Sequence, residues 1–262
     1  MGKLAISLVL LLMANIELSA QRINRQYNNI SISAALKDLN AAQDKYAINF
    51  VYNELEDFKV TKNIHNISVP DAVQQLIGFY PIKMTQVENT LIVECTQKTS
   101  NKMTGRILDS QHRPVDFANV ALLNLSDSTF ITGGITNENG QFVIPCEAKK
   151  AIMKVSCVGY NTYYNVYGTG EIGAITLNEA TMNLQNVVVK GHRKYISREN
   201  GRLTLNVQNS NLQNIGKATD VIKYVPGMLY TNGKYEVFGK GEPVIYIDGR
   251  KVANVSELSL IS

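Results

Sequence analysis

Cysteine is scarce in this chain. Cys95, Cys146 and Cys157 are the three in 262 residues, too few for a disulfide-stapled scaffold. No C-x-x-C pair occurs and the three histidines are scattered, so spacing defines neither a redox motif nor a metal-ligand set. Lys and Arg total 26 against 22 Asp and Glu, with no basic block. That removes the electrostatic footprint of a nucleic-acid-binding protein. G-x-S-x-G, Walker A and H-E-x-x-H are all missing, and no carboxylate pair is placed by spacing alone. The composition therefore predicts a protein that is not an enzyme and that takes no cofactor, no metal and no nucleic acid.

Long apolar runs are equally rare. One spans residues 4–14 (LAISLVLLLMA), after Lys3 and before Leu18, Ser19 and Ala20. At roughly 11 residues it falls short of the about 20 that a spanning helix needs. A positive charge, a short apolar core and a small residue at the end describe a secretory signal peptide over 1–20, cut between Ala20 and Gln21. No cysteine follows the cut, so no lipid anchor is expected. The mature chain then enters an oxidising compartment. Cys146 ends the alternation Phe142, Ile144, Cys146, and Cys157 ends Met153, Val155, Cys157, so both point toward one core. Two readings stay open: a Cys146–Cys157 bridge, or two buried free thiols, of which the second is preferred.

Three kinds of pattern follow one another, and the expected fold is α+β and modular. Residues 21–97 alternate strand and helix signals. In "SISAALKDLNAAQDKY", Ile32, Leu36 and Leu39 share a helical face with Ser31 as N-cap. In "SVPDAVQQLIGFY", Ser68 caps, Pro70 sits in the first turn, Asp71 gives capping-box spacing, and Val69, Ala72, Val73, Leu76 and Ile77 form the buried face. "QRINRQYNNI", "AINFVYN" and "KVTKNIHNIS" read as strands, and "IKMTQVENTLIVEC" as a hairpin around Glu88 and Asn89. The result is two βα units and a closing hairpin. Residues 98–185 lose the helical period and show seven short strand-like runs separated by turn residues, which argues for a β-sandwich. Asn139-Gly140 suits a type I′ hairpin. Gly168, Gly170 and Gly173 match G-x-G-x-x-G, but "AITLNEA" follows as a strand, where a dinucleotide site requires a helix. Residues 186–262 carry an extended "NVVVKG" and a half-buried strand with Leu203, Leu205 and Val207 on one side. A helix in "KATDVIKYVPG" must stop before Pro226. "MLYT" and "KYEVFG" form a hairpin about Asn232-Gly233, and "PVIYIDGRKV" turns at Asp248-Gly249.

Each segment resembles a known family. "INFVY", "SVPDAVQQLIGFY" and "NTLIVE" resemble the secretin and TonB N-terminal domain, a small periplasmic module of βα units. "TGRILDSQHRPVDFANVALL", "TNENGQF" and "VSCVGY" resemble the carboxypeptidase-regulatory-like domain, a transthyretin-like seven-stranded sandwich. In that family Gly105, Pro114, Ala118, Gly140, Phe142, Gly159 and Tyr160 would be structural. "DVIKYVPGM" and "VIYIDGRKV" resemble the first half of the plug, a partial α/β domain, of TonB-dependent outer-membrane receptors of the Bacteroidetes type. Together these imply the N-terminal part of such a receptor, with this portion facing the periplasm. Leu184, Gln185, Asn186, Val187, Val188 and Val189 lie where these receptors carry the TonB box, the strand that TonB captures. The resemblance also implies contact with an anti-sigma regulator and anchorage in the outer membrane through a barrel of about 22 strands of roughly 10 residues each. These 262 residues have no room for that barrel. The alternative is a free-standing periplasmic binding or adaptor protein without transport activity. Intact-mass measurement of the secreted protein is expected to give a chain starting at Gln21. A mass that retains residues 1–20 would show instead that the apolar run stays on as an anchor.

Overall fold

The computed structural model describes residues 22–78, 80–97, 99–180, 195–199, 202–208, 212, 216–231, 234–239, 241–247, 249–252 and 257–258. Strands dominate and helices are few. The chain opens with β1 (Arg22–Ser31), α1 (Ile32–Ala41), β2 (Ala47–Phe50), α2 (Tyr52–Leu55), β3 (Lys59–Ser68), α3 (Val69–Ile77), β4 (Ile82–Val87) and β5 (Thr90–Cys95). The Ser31 hydroxyl accepts from the Ala34 N–H at 3.2 Å, satisfying one orphan donor of α1. Ile32, Leu36 and Leu39 are fully buried, as their helical spacing predicts. The periodic stretch runs on to Tyr46, yet α1 stops at Ala41. There the Gln43 amide donates to the Tyr46 carbonyl at 2.6 Å and accepts from the Tyr46 N–H at 2.7 Å, closing a local loop in place of another helical turn. The strand expected over "AINFVYN" is likewise cut at Phe50. The Ser33 hydroxyl donates to the Tyr52 carbonyl at 2.8 Å, and a one-turn helix drops Leu55 into the core.

The Ser68 hydroxyl caps α3 by accepting from the Asp71 N–H at 3.3 Å and donates to the Asp71 carboxylate at 2.6 Å. Gly78 (φ 51°) ends the helix. β1 pairs antiparallel with β3, while β5 lies between parallel β2 and antiparallel β4, with Glu88 in positive φ at the hairpin turn. Phe58, Val73, Leu76, Ile77 and Leu91 fill the shared core with α1. Each such side chain removed from water is worth about 1.5–3 kcal/mol.

Seven strands form the sandwich: β6 (Lys102–Asp109), β7 (Asn119–Leu123), β8 (Phe130–Ile135), β9 (Gln141–Pro145), β10 (Lys150–Ser156), β11 (Tyr163–Gly168) and β12 (Gly170–Leu177). One sheet has the order β11-β10-β7-β8 and the other β12-β6-β9. Val120 and Leu122 of β7 and Ala151, Met153 and Val155 of β10 face Met103, Ile107, Phe142, Ile144 and Ile175 across the core. β12 pairs with β6 in parallel, Gly170 opposite Met103 and Leu177 opposite Asp109. The G-x-G-x-x-G run leads from β11 into β12, with no helix after it.

The Asn139-Gly140 turn differs from the expected type I′ hairpin. β8 and β9 belong to different sheets, so these residues make a crossover. Gly140 alone takes positive φ (72°), and its N–H donates to the Asn137 carbonyl at 2.9 Å. The Asn137 carboxamide oxygen accepts from the N–H groups of Asn139 and Gln141, each at 2.9 Å, which fixes this geometry locally. A Cβ on Gly140 would sit 2.4 Å from the Ile107 carbonyl oxygen, so the position tolerates only glycine.

Beyond the sandwich come β13 (Ile196–Glu199), β14 (Arg202–Leu205), α4 (Ala218–Ile222), β15 (Met228–Thr231), β16 (Lys234–Val237), β17 (Tyr246–Ile247) and β18 (Arg250–Lys251). The strand expected in "RLTLNVQNS" is half of a β13–β14 hairpin. α4 ends four residues before Pro226, as the proline demands. "NVVVKG" lies outside the described residues, as do Asn232, Gly233 and Asp248. Ile196 and Phe238 pack with Phe117, Ala121 and Ile135, so β7 and β8 are covered on both faces.

Asp109 closes β6 and its carboxylate has no exposure. Burial pushes its pKa up, but the N–H groups of Gln111 and Arg113 (2.8 and 2.9 Å) and the Arg113 guanidinium (2.7 Å) more than offset this. The net shift is below the ordinary 3.8. The stabilisation is therefore complete above pH ~4 and disappears as the pH falls through the lowered folded value. Asp109→Asn is expected to cost about 1–3 kcal/mol at neutral pH. It should also flatten the dependence of melting temperature on pH below 4. Parallel acid slopes for both proteins would show that Asp109 does not carry this linkage.

Candidate functional site

The residues expected to be functional from the sequence fall in two groups. Ala20 and Gln21, and Leu184, Gln185, Asn186, Val187, Val188 and Val189, lie outside the described residues. Cys146 and Cys157 are described, and both are free thiols, as is Cys95. Cys146 is buried in the sandwich core, where burial pushes its thiol pKa up. Cys157 is half-buried with its sulfur 4.0 Å from the Asp116 carbonyl oxygen. Burial, reinforced by the Asp116 carboxylate, pushes its pKa up to about 12. A thiol held that far above neutral is protonated and a poor nucleophile.

The densest set of polar side chains bridges the N-terminal unit and the sandwich. Asn137 Nδ2 donates to the Lys59 carbonyl at 3.1 Å, and Asn139 Nδ2 to Thr61 Oγ1 at 3.0 Å. Lys62 and Glu138 form a 2.8 Å ion pair, and Lys102 reaches Asp57 at 2.6 Å. Gln97 Nε2 donates to Thr132 Oγ1 at 3.0 Å, while Gln97 Oε1 is buried without a hydrogen-bond partner. Val143 of β9 inserts among the buried residues of the N-terminal unit. These loops project together because the Asn137–Gln141 crossover is locked by its own side-chain bonds and lies against β3.

Lys59, Val60, Tyr80, Phe117, Thr136 and Asn137 line a cavity of about 20 Å³ at this junction. That is room for about one water. The groups gathered here are amides, hydroxyls and two ion pairs, nearly all engaged with one another. They can hold the N-terminal unit and the sandwich in fixed relation. Among the described residues no three His, Cys, Asp or Glu side chains are grouped to hold a metal ion, and no helix is long and apolar enough to cross a membrane.

The residues that made the second family resemblance are packing residues in the structure. Ala118 and Phe142 are buried, Pro114 bridges to Leu108, and a Cβ on Gly105 would lie 2.8 Å from the Phe142 ring. Residues 103–189 match the family model of the CarboxypepD_reg-like domain. That range starts one residue into β6 and extends past the 185 boundary expected from composition. The matched range covers all seven sandwich strands except the first residue of β6. A comparison with curated proteins finds no match. Solved structures with local likeness include 3-chlorocatechol 1,2-dioxygenase from Rhodococcus opacus 1CP, at 12% identity over 32% of this chain and 61% of that chain, TM-score 0.24. They also include 5-hydroxyisourate hydrolase of Klebsiella pneumoniae, at 12% identity over 30% of this chain and 92% of that one, TM-score 0.25. The shaft pilin SpaA of Lactobacillus rhamnosus GG, as the E269A mutant, aligns at 8% identity over 63% and 94%, TM-score 0.28. The chain therefore spans less than two thirds of the dioxygenase, and scores this low assign no activity.

Sequence reading missed the two-sided burial around the CarboxypepD_reg-like domain. The signal was present: "FANVALL" carries a single polar residue, Asn119, where a strand with one wet face would alternate. Thiol titration tests the cysteine state. The native protein is expected to give almost no reaction with a disulfide reagent at pH 7–8, and denaturation under non-reducing conditions to release all three thiols. One thiol per denatured chain would mean that Cys146 and Cys157 are bridged.

Proposed function

We propose that the chain is the front, periplasm-facing part of a TonB-dependent outer-membrane receptor that takes up a ligand actively. The observation that carries this reading is the CarboxypepD_reg-like match at 103–189. It is flanked by an N-terminal unit of three strand–helix pairs and a closing hairpin, and by a short helix, a Pro-Gly turn and a hairpin. The three sequence resemblances imply those parts in that order. Further support comes from the last segment, where Tyr230, Val244 and Tyr246 are 44–61% exposed. Side chains of that kind in one short region suit a partial domain completed by further chain.

In this reading the N-terminal unit lies in the periplasm, where it offers a surface to an anti-sigma regulator. TonB captures the segment around Val187, Val188 and Val189 by strand addition, using proton-motive force from the inner membrane. The sandwich is a non-enzymatic spacer whose thiols are held protonated. Antiserum against residues 21–185, used on fractionated source cells, checks the proposal. A band several times heavier than 29.0 kDa in the outer-membrane fraction is expected. A band at or below that mass in the soluble periplasm would replace the receptor with a free-standing adaptor protein.

A further inference from the structure

The outer face of the β7–β8 sheet holds one short piece of the chain in an unusual way. Asn119 on β7 is 7% exposed, and its carboxamide is spent wholly on backbone. Its oxygen accepts from the Gly227 N–H at 2.6 Å, and its nitrogen donates to the Val225 carbonyl at 3.3 Å. One side chain thereby grips both sides of Pro226, a residue with no N–H of its own. The Phe238 N–H donates to the Gly227 carbonyl at 2.9 Å, tying the end of the β15–β16 hairpin to the same turn.

Phe238 supplies the apolar half of the contact. Its ring is 5% exposed and stacks on Phe130 at 5.6 Å, 15° from parallel. It occupies the space left by Gly133 on β8, where an added Cβ would lie 3.1 Å from the ring. Glycine in mid-strand weakens a sheet and marks close approach of another group. The next residue, Gly239, accepts from Thr96 Oγ1 at 3.3 Å, just after β5. One turn and one ring therefore touch both the sandwich and the N-terminal unit. By contrast, α4 buries nothing, and β17 and β18 are exposed or only half-buried.

We propose that residues 225–228 and Phe238 form a releasable intramolecular latch. Asn119 and the Gly133 slot are its receptor, the Pro226 turn and Phe238 its bolt. Release uncovers the part of an apolar sheet face (Phe117, Ala121 and Ile135) that Phe238 covers, while Ile196 of β13 stays packed on the same face. The occupant of the uncovered part is this segment of the same chain. The latch is independent of the receptor reading, because it rests only on Asn119, Gly133, the Pro226 turn and Phe238.

Native-state hydrogen exchange on the full chain tests it. The Gly227 and Phe238 amides are expected to be protected, and to open at lower denaturant than the Val155 amide in the centre of β10. Asn119→Ala should speed exchange at Gly227 roughly tenfold to a hundredfold, and Phe238→Ala at both sites by at least about a hundredfold. Val155 should remain the slowest of the three amides in both variants. The latch is overturned if Gly227 and Phe238 exchange as an unfolded chain does, or if Asn119→Ala leaves them unchanged. It is equally overturned if they open only together with Val155 in the wild-type protein, a comparison that needs no variant to fold.

Discussion

A strand pair buried on both faces, β7 and β8, is the constraint around which the rest is arranged. Val120 and Leu122 of β7 face the sandwich core, while Asn119 and Ala121 of the same strand face the segment that follows the sandwich. No residue from Asn119 to Leu122 is wet. Once a strand has no solvent side, every polar group on it must find a partner within the protein. Asn119 meets that demand by binding backbone two ways. The Thr136 hydroxyl does so too, accepting from the Ala118 N–H and donating to the Val115 carbonyl, both at 2.8 Å. The fold is built outward from these satisfied groups, with apolar side chains filling the space between them.

The two junctions that flank the sandwich use different chemistry. Toward the N-terminal unit the contact is mostly amide and hydroxyl, with Val143 as its apolar insert. Neutral hydrogen bonds of this kind respond little to salt, and the Lys62–Glu138 pair is partly shielded from water. Toward the C-terminal segment the contact is an aromatic ring, a glycine gap and one asparagine. The first joins broad surfaces and the second concentrates on a few atoms. A single substitution is correspondingly less disruptive at the first than at the second.

Much of this was legible in the residues. The caps at Ser31 and Ser68, the buried faces of α1 and α3, the Glu88 hairpin and all seven sandwich strands follow from periodicity and turn chemistry. What was not legible depended on partners distant in sequence. α1 ends early because Gln43 finds Tyr46, and Tyr52 leaves the strand register because Ser33 reaches it. Asn139 and Gly140 carry a hairpin signal, yet the strands they join go to opposite sheets, and local sequence does not encode which sheet a strand enters. The polar junction was hidden for the same reason: Asn137, Asn139 and Lys62 look like ordinary surface residues until the fold sets them together. The expected TonB-box and cleavage residues fall where the structure describes nothing.

The parallel pairing of β6 with β12 has a mechanical consequence. β6 is the first strand of the sandwich and β12 the last, and they lie side by side in the same direction. The chain therefore enters near one end of the sheet and leaves near the other, about 25 Å away for eight residues at roughly 3.3 Å each. Tension applied to the two ends loads this pair in shear. The hydrogen bonds from Met103–Gly170 to Asp109–Leu177 share the load and must yield together, where a terminal hairpin would unzip one bond at a time. Such a pair resists tension along the chain better than a terminal hairpin does.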